Sequence, residues 1–268
     1  MKIHFDGDLL IYRAGFAAEK MQYYVGETMY ERKADIPKDV DPESIERERV
    51  LEPVENALYN AKSMISNTCE ALASDDITIY LSGPTNFRLG IATIRPYKGN
   101  RDETHKPQHG PAIKKYLQKK YDVVVSKDEE ADDIVSYSHY KMWLEDEHST
   151  VIASTDKDLD MIPGLHYNFI KGESYYVTPE EGTRWFYTQL LMGDSTDNIP
   201  GIPKVGKVKA ARALEEATTE MEMYEIASRM YEEAYPDAPH SALMENAHLL
   251  WMRRAPHDWW TPPCNRAS

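Results

Sequence analysis

The stretch Glu129-Glu130-Ala131-Asp132-Asp133-Ile134-Val135 places four acids in five positions, shortly after the apolar run Val123-Val124-Val125. An apolar-periodic segment follows it, so the pattern predicts a strand, a short loop and a helix opening on carboxylates. On that helix Glu130 and Asp133 share a face, with Asp132 beside them. Crowded like charges repel, and something must offset the cost. Solvent and the helix macrodipole are one answer, because acids are favoured in a first turn. A divalent cation is the other, because hard ions such as Mg²⁺ take oxygen ligands. The rest of the chain favours the cation.

Working outward, other apolar strands also run into acids. Residues 2–5 lead into Asp6-Gly7, and Thr150-Val151-Ile152-Ala153 leads towards Asp156-Lys157-Asp158. Between them lie a helical segment over 54–73 and a β-branched strand over 77–81, which ends in Ser82-Gly83-Pro84. Residues 167–170 and 175–177 form a strand pair joined by Lys171-Gly172-Glu173. Strands alternating with helices imply an α/β fold, a mainly parallel central sheet flanked by helices. Ligands of such sheets gather beyond the carboxyl ends of the strands. Asp6, the Glu130/Asp132/Asp133 group and Asp156/Asp158 would converge there. Residues 19–56 are polar and broken by Pro37, Pro42 and Pro53, and are expected to form an exposed insertion with some helix. Strands stop near residue 180, which divides a core over 1–180 from a helical region over 181–268.

At 268 residues the chain can bury a sizeable core. Its net charge of −14 argues against a generic nucleic-acid binder, so local basic clusters matter more than the global balance. Cys69 and Cys264 lie far apart without metal-site spacing, which suits a reducing compartment. The first eight residues carry two acids where a signal peptide needs an apolar run, and no segment approaches membrane-spanning length. A cytoplasmic location is expected, that of the host if the chain is phage-encoded, with no membrane contact.

Basic residues gather in Phe87-Arg88, in Arg95-Pro96-Tyr97-Lys98-Gly99-Asn100-Arg101, and in the helix bearing Lys114, Lys115, Lys119 and Lys120. Downstream, Gly193-Asp194-Ser195-Thr196-Asp197-Asn198 adds two acids. It is followed by Gly201-Ile202-Pro203-Lys204-Val205-Gly206-Lys207-Val208-Lys209-Ala210. There the glycines permit a tight turn, and a helix is expected to start near Gly206 among lysines, a seat for phosphate. A plain helical corner with solvated lysines explains the same residues.

Taken together, these segments resemble the flap endonuclease/5′-3′ exonuclease family of bacteriophage and bacterial type, from residue 1 to about 213 without the insertion. Five markers carry the likeness in family order: Asp6-Gly7; Phe87-Arg88 with Tyr97-Lys98 and Arg101; Glu130-Ala131-Asp132-Asp133; Asp156-Lys157-Asp158-Leu159; and Gly193-Asp194 through Asp197-Asn198 to Gly201. The resemblance implies that Asp6, Glu130, Asp132, Asp133, Asp156, Asp158, Asp194 and Asp197 hold two Mg²⁺ ions, for which Mn²⁺ substitutes. Lys98 and Arg101 resemble the basic pair at the scissile phosphate, with Asp6 and Asp132 sharing the catalytic centre. Arg88 and Tyr97 would face DNA, Tyr97 stacking near an end base. Gly201, Lys204, Gly206, Lys207 and Lys209 would belong to a helix–three-turn–helix that grips duplex backbone and can seat K⁺. Residues of about 99–115 would form an arch.

Two departures stand out. The family has an Asp after its second strand, where this chain offers only Leu81, Ser82 and Gly83. Its turn reads Gly-Ile-Gly-x-Lys, where this chain has Lys204-Val205-Gly206-Lys207-Val208.

The implied activity is structure-specific hydrolysis of DNA phosphodiesters by a monomer acting on duplex with a 5′ flap or 5′ end, leaving 5′-phosphate and 3′-hydroxyl ends. Two cations about 4 Å apart can activate water on one side and stabilise the leaving oxygen on the other. A haloacid-dehalogenase-type phosphatase would use Asp6-Gly7-Asp8 and Gly193-Asp194-Ser195-Thr196-Asp197, but leaves the other acids unexplained. A DNA-structure-binding protein that has lost cleavage would account for the missing acid.

Overall fold

The computed structural model describes residues 1–101 and 106–265. In chain order the elements are β1 (Lys2–Asp6), α1 (Gly7–Phe16), β2 (Glu19–Val25), β3 (Thr28–Tyr30), β4 (Ile45–Leu51) and α2 (Val54–Ala71). Then come β5 (Ile77–Leu81), α3 (Arg88–Ile91), α4 (Gly110–Lys120), β6 (Val123–Val125), α5 (Ala131–Glu145) and β7 (Thr150–Ala153). The chain closes with β8 (Gly164–Asn168), β9 (Glu173–Val177), α6 (Pro179–Met192), α7 (Lys207–Ala213), α8 (Glu220–Ala234) and α9 (Pro239–Leu250).

Six strands form the main sheet in the order β6-β5-β1-β7-β8-β9, parallel throughout except for β9, which pairs antiparallel with β8. The chain winds from β1 out to β5 and β6, then returns to β7 on the other side of β1. That reversal opens a crevice at the carboxyl ends of β1 and β7, where doubly wound sheets bind their ligands. Both faces of the central strands are buried: β7 reads as a near-continuous apolar run, and in β1 the alternating His4 is buried as fully as Ile3 and Phe5. One face packs α1, α2 and α4 through Leu10, Ile65, Ile113 and Leu117. The other packs α5, α6, α8 and α9 through Val135, Phe186, Leu190, Tyr231 and Leu250. Trp260 of the tail is buried in this second core against Phe186 and Tyr187.

Three histidines also lie inside this core: His4, His139 and His166. Burial holds them near pKa values of about 4, about 3 and about 4, respectively, so all three are neutral in the fold.

Residues 19–51 depart from expectation. They hold little helix and instead form a three-stranded antiparallel sheet, β3-β2-β4. Tyr23, Tyr24, Val25 and Val50 explain it, since aromatic and β-branched residues suit paired strands. Charged residues between them masked that alternation. The insertion braces the segment before α4: Glu19 accepts from the Gln108 amide, Arg49 donates to the Lys106 carbonyl, and His109 bonds the Glu52 carbonyl. Within the expected arch of 99–115, residues 102–105 lie outside the described residues.

Candidate metal centre

Asp6 ends β1 and caps α1, accepting from the Leu9 amide at 3.0 Å and from the Ser154 hydroxyl at 2.7 Å. Ser154 also accepts from the Asp156 amide (3.0 Å), tying the end of β7 to the end of β1. Asp156 in turn accepts from the Asp158 amide (2.9 Å), which turns Asp158 towards Gln189 of α6. Each acid thus stands on a backbone terminus of the parallel sheet or on the turn just beyond it.

Asp194 and Asp197 are delivered by a loop closed by two glycines. Gly193 and Gly201 both have positive φ, at +70° and +55°, and a Cβ built on Gly201 would lie 2.2 Å from the Gly193 nitrogen. Only glycine permits that approach. A two-way backbone bridge between Asp194 and Ile199 completes the loop. Asp158, Asp194 and Asp197 can then bring one carboxylate oxygen each within 4.8 Å of one another.

The acids feel one another. Burial, then the charges of Asp8 and Asp156, pushes Asp6 up to about 7. Burial, then Asp156 and Asp194, pushes Asp158 up to about 7. Asp132 is raised well above its usual range by burial and by Asp6, Asp156 and Glu130, and Asp156 is raised by burial and by Asp197 and Asp194. Glu130 moves down instead: burial opposes its ionisation, but Lys98 and Arg88 outweigh it. A buried group of carboxylates short of positive charge is the donor set that hard divalent cations take.

Lys98 and Arg101 line the rim. Lys98 has φ +55°, its amide donates to the Asp197 carbonyl (2.9 Å), and its ammonium rests on Glu130 with Asp197 at 3.6 Å. Arg101, half-exposed, donates to Asp197. A non-glycine residue held at positive φ costs energy and persists where the surroundings impose it, commonly at functional sites.

Three of the expected site residues have other roles. Arg88 is fully buried, with both terminal nitrogens on Asp133 (2.5 and 2.9 Å) and further bonds to the Leu249 and Trp251 carbonyls. It therefore does not face DNA. Asp133 is equally buried, and both its oxygens are taken by Arg88, one also accepting from the Glu130 amide. It is the internal partner of an ion pair and not a cleft ligand. Tyr97 is 5% exposed, its hydroxyl standing between Glu130 (2.8 Å) and Asp197 (2.6 Å), which share its single proton. Its ring has no open face for a base; its hydroxyl sets the two carboxylates. Spacing cannot tell these roles apart, since a buried Arg–Asp pair and a surface pair look alike in sequence.

The fold and site together define a class: an α/β protein with a mainly parallel sheet and a cluster of carboxylates at the switch point, spaced as a metal ion would need them. No family model matches the chain. It is 26% identical over 210 residues to a 5′-3′ exonuclease of Buchnera aphidicola subsp. Schizaphis graminum, covering 73% of this chain and 67% of that one. It is 29% identical over 179 residues to DNA polymerase I of Streptococcus pneumoniae, covering 59% of this chain but 20% of the polymerase. A second Buchnera exonuclease, from subsp. Baizongia pistaciae, is 34% identical over 90 residues, 30% of either chain. The chain thus spans only 20–30% of the length of two of these relatives. Among solved structures, the bacteriophage T5 5′-exonuclease with divalent zinc ions superposes with a TM-score of 0.60 at 16% identity, covering 93% of this chain and 88% of that one. The T5 flap endonuclease in a pseudo-enzyme-product complex with DNA and metal ions superposes with a TM-score of 0.59 at 16% identity, covering 92% and 88%. In sequence and in fold, the chain resembles the flap endonuclease/5′-3′ exonuclease family.

Proposed function

We propose that this protein is a metal-dependent, structure-specific 5′ nuclease that hydrolyses DNA phosphodiesters at a 5′ flap or 5′ end. The observation that carries the reading is the convergence of Asp6, Asp132, Asp156, Asp158, Asp194 and Asp197 at the carboxyl edge of the sheet, with Lys98 and Arg101 on the rim. The resemblance to 5′-3′ exonucleases and the DNA and metal ions of the T5 complex support it.

The cofactor we propose is Mg²⁺, with Mn²⁺ as a substitute. Asp158, Asp194 and Asp197 would hold one ion, and Asp6, Glu130, Asp132 and Asp156 another. When bound, such ions lower the pKa of a water and neutralise charge on phosphoryl oxygens. The protein's part is to fix the carboxylates through the Ser154, Gln189 and Tyr97 bonds, and to place two cationic side chains at the cleft mouth. Lys98 and Arg101 supply charge to the non-bridging phosphate oxygens as it builds.

Lys98→Ala is accordingly expected to slow single-turnover cleavage by about 10²–10³-fold while changing DNA affinity little. Weakened binding with an unchanged rate would take Lys98 out of the chemistry. The central test of the function is a 5′-labelled flap incubated with Mg²⁺, the product being sized and its ends identified. No product in either Mg²⁺ or Mn²⁺ would leave a binding protein in its place.

We assign duplex binding to the turn before α7. Lys204, Lys207 and Lys209 are exposed, and none forms a salt bridge to an acid among the described residues. Neutralising all three should flatten the dependence of log affinity on log salt by about 0.9 for each phosphate they had neutralised. An unchanged slope removes this turn from the DNA interface. K⁺ would sit on the carbonyls of this turn, one of which, that of Lys204, also accepts from the Lys209 ammonium (3.0 Å). We take the protein to act as a monomer.

A further inference from the structure

Across the main sheet, β5 is the one strand beside the cleft that brings no acid of its own. Its neighbour β1 ends in Asp6, β6 leads into Glu130 and Asp132, and β7 leads into Asp156. The structure shows why β5 cannot contribute one as it stands. Leu81 is buried in the apolar core. The Ser82 hydroxyl accepts from the Ala131 amide at 2.9 Å and so holds the first turn of α5. Gly83 has no room for any side chain, because a Cβ there would meet the Ser126 carbonyl oxygen at 2.2 Å.

A carboxylate nevertheless stands over the end of β5. Asp8, in the first turn of α1, reaches across so that both its oxygens lie at hydrogen-bond distance from one donor, the Ser82 amide, at 3.1 and 3.2 Å. One N–H shared so evenly leaves most of the carboxylate's lone pairs uncommitted. Its neighbours are the cleft acids Asp6 and Glu130, whose charges act on it or feel it, and Lys114 of α4, whose ammonium donates to the Ser82 carbonyl at 3.1 Å.

We propose that Asp8 supplies to the divalent-cation cleft the carboxylate that β5 lacks, with Ser82 serving as its tether and not as a ligand. This rests on the metal-dependent reading of the cleft. The plain alternative is that Asp8 only complements the start of α1 and accepts the Ser82 N–H. Asn keeps an acceptor for that N–H but surrenders the charge, so Asp8→Asn separates the two.

The experiment is a Mn²⁺ titration of the metal-free protein, followed by calorimetry and by the electron-spin signal of free Mn²⁺. Asp8→Asn is expected to weaken Mn²⁺ binding about tenfold or more, or to lose one bound ion per chain, without lowering the metal-free melting temperature. The charge-matched control is Asp75→Asn, an exposed acid at the far end of β5, which should bind as the parent does. Parent-like affinity and stoichiometry in Asp8→Asn overturns the proposal. If that variant does not fold, Lys114→Gln carries the test: removing a cation whose charge acts on Asp8 should tighten Mn²⁺ binding, and unchanged or weaker binding overturns it. A parent that binds no Mn²⁺ is a different result, since it removes the metal-dependent reading of the whole cleft.

Discussion

Asp132→Asn should abolish flap cleavage and, in the absence of divalent cations, raise the melting temperature. The two effects have one cause. Burial, and then the charges of Asp6, Asp156 and Glu130, press on the Asp132 carboxylate in the metal-free fold. An amide of the same shape relieves that repulsion, and in a chain of this size each kcal/mol relieved raises the melting temperature by about 2–4 °C. The pH dependence fixes the sign. Asp6 and Asp158 have folded pKa values of about 7, above the unfolded value, so the fold binds more protons than the unfolded chain between about 4 and 7. Their contribution is therefore lost as pH rises through 7. The buried histidines act oppositely: with folded pKa values of about 3–4 they destabilise the fold as pH drops below about 6.5. They are common to parent and mutant, so the difference between the two melting curves isolates the cleft, and it should grow from pH 5 to pH 8. Saturating Mg²⁺ should raise the parent's melting temperature, as a ligand of the native state does, and raise the mutant's less. If Asp132 merely complemented the start of α5, its loss would cost about 0.3–1 kcal/mol at any Mg²⁺ concentration and leave activity intact. A slightly less stable but fully active mutant would sink the assignment of this cluster.

How far the sequence could be read depended on whether a residue's role followed from its place along the chain or from what it met in space. Strands ending in acids are a local pattern, and Asp6, Asp132 and Asp156 do converge because parallel strands align their carboxyl ends. The Gly193-to-Gly201 motif was legible for a similar reason, since its two glycines touch each other. The roles of Arg88 and its partner Asp133 depend on helix α9, more than a hundred residues away, whose last turn supplies the Leu249 carbonyl, and that of Tyr97 depends on Asp197, 100 positions along the chain. Asp8 drew notice only as half of a phosphatase-like pair, and its link to Ser82 spans 74 positions. The remaining signal for it was indirect: the absence of any acid after β5. The insertion hid its strands behind charge, because both faces of a thin, exposed sheet tolerate polar residues.

Arg88→Ala should destabilise the protein by about 3–5 kcal/mol, the usual cost of leaving one member of a buried ion pair without its partner. The guanidinium is fully buried, and it joins Asp133 at the start of α5 to the Leu249 and Trp251 carbonyls at the end of α9. Its loss strands a carboxylate and two carbonyls away from water, so urea unfolding should show a lower midpoint. Replacing the pair together, as Arg88→Met with Asp133→Leu, should cost less than Arg88→Ala alone, because no buried charge is then left unmatched. Asp133→Asn offers the sharper contrast with Asp132→Asn, its neighbour in the chain. It leaves the buried Arg88 with only Glu130, at 3.7 Å, to offset its charge, so it should lower the metal-free melting temperature where Asp132→Asn raises it. Asp133 lies outside the ligand set we propose for the cleft, so the stabilisation gained on adding saturating Mg²⁺ should match the parent's. If Asp133→Asn instead loses that Mg²⁺-dependent gain, Asp133 returns to the metal site, and the buried pair must open when the cation binds. Two adjacent aspartates on one helix turn would otherwise show opposite stability effects, one relieving repulsion in the cleft and the other breaking an ion pair in the core.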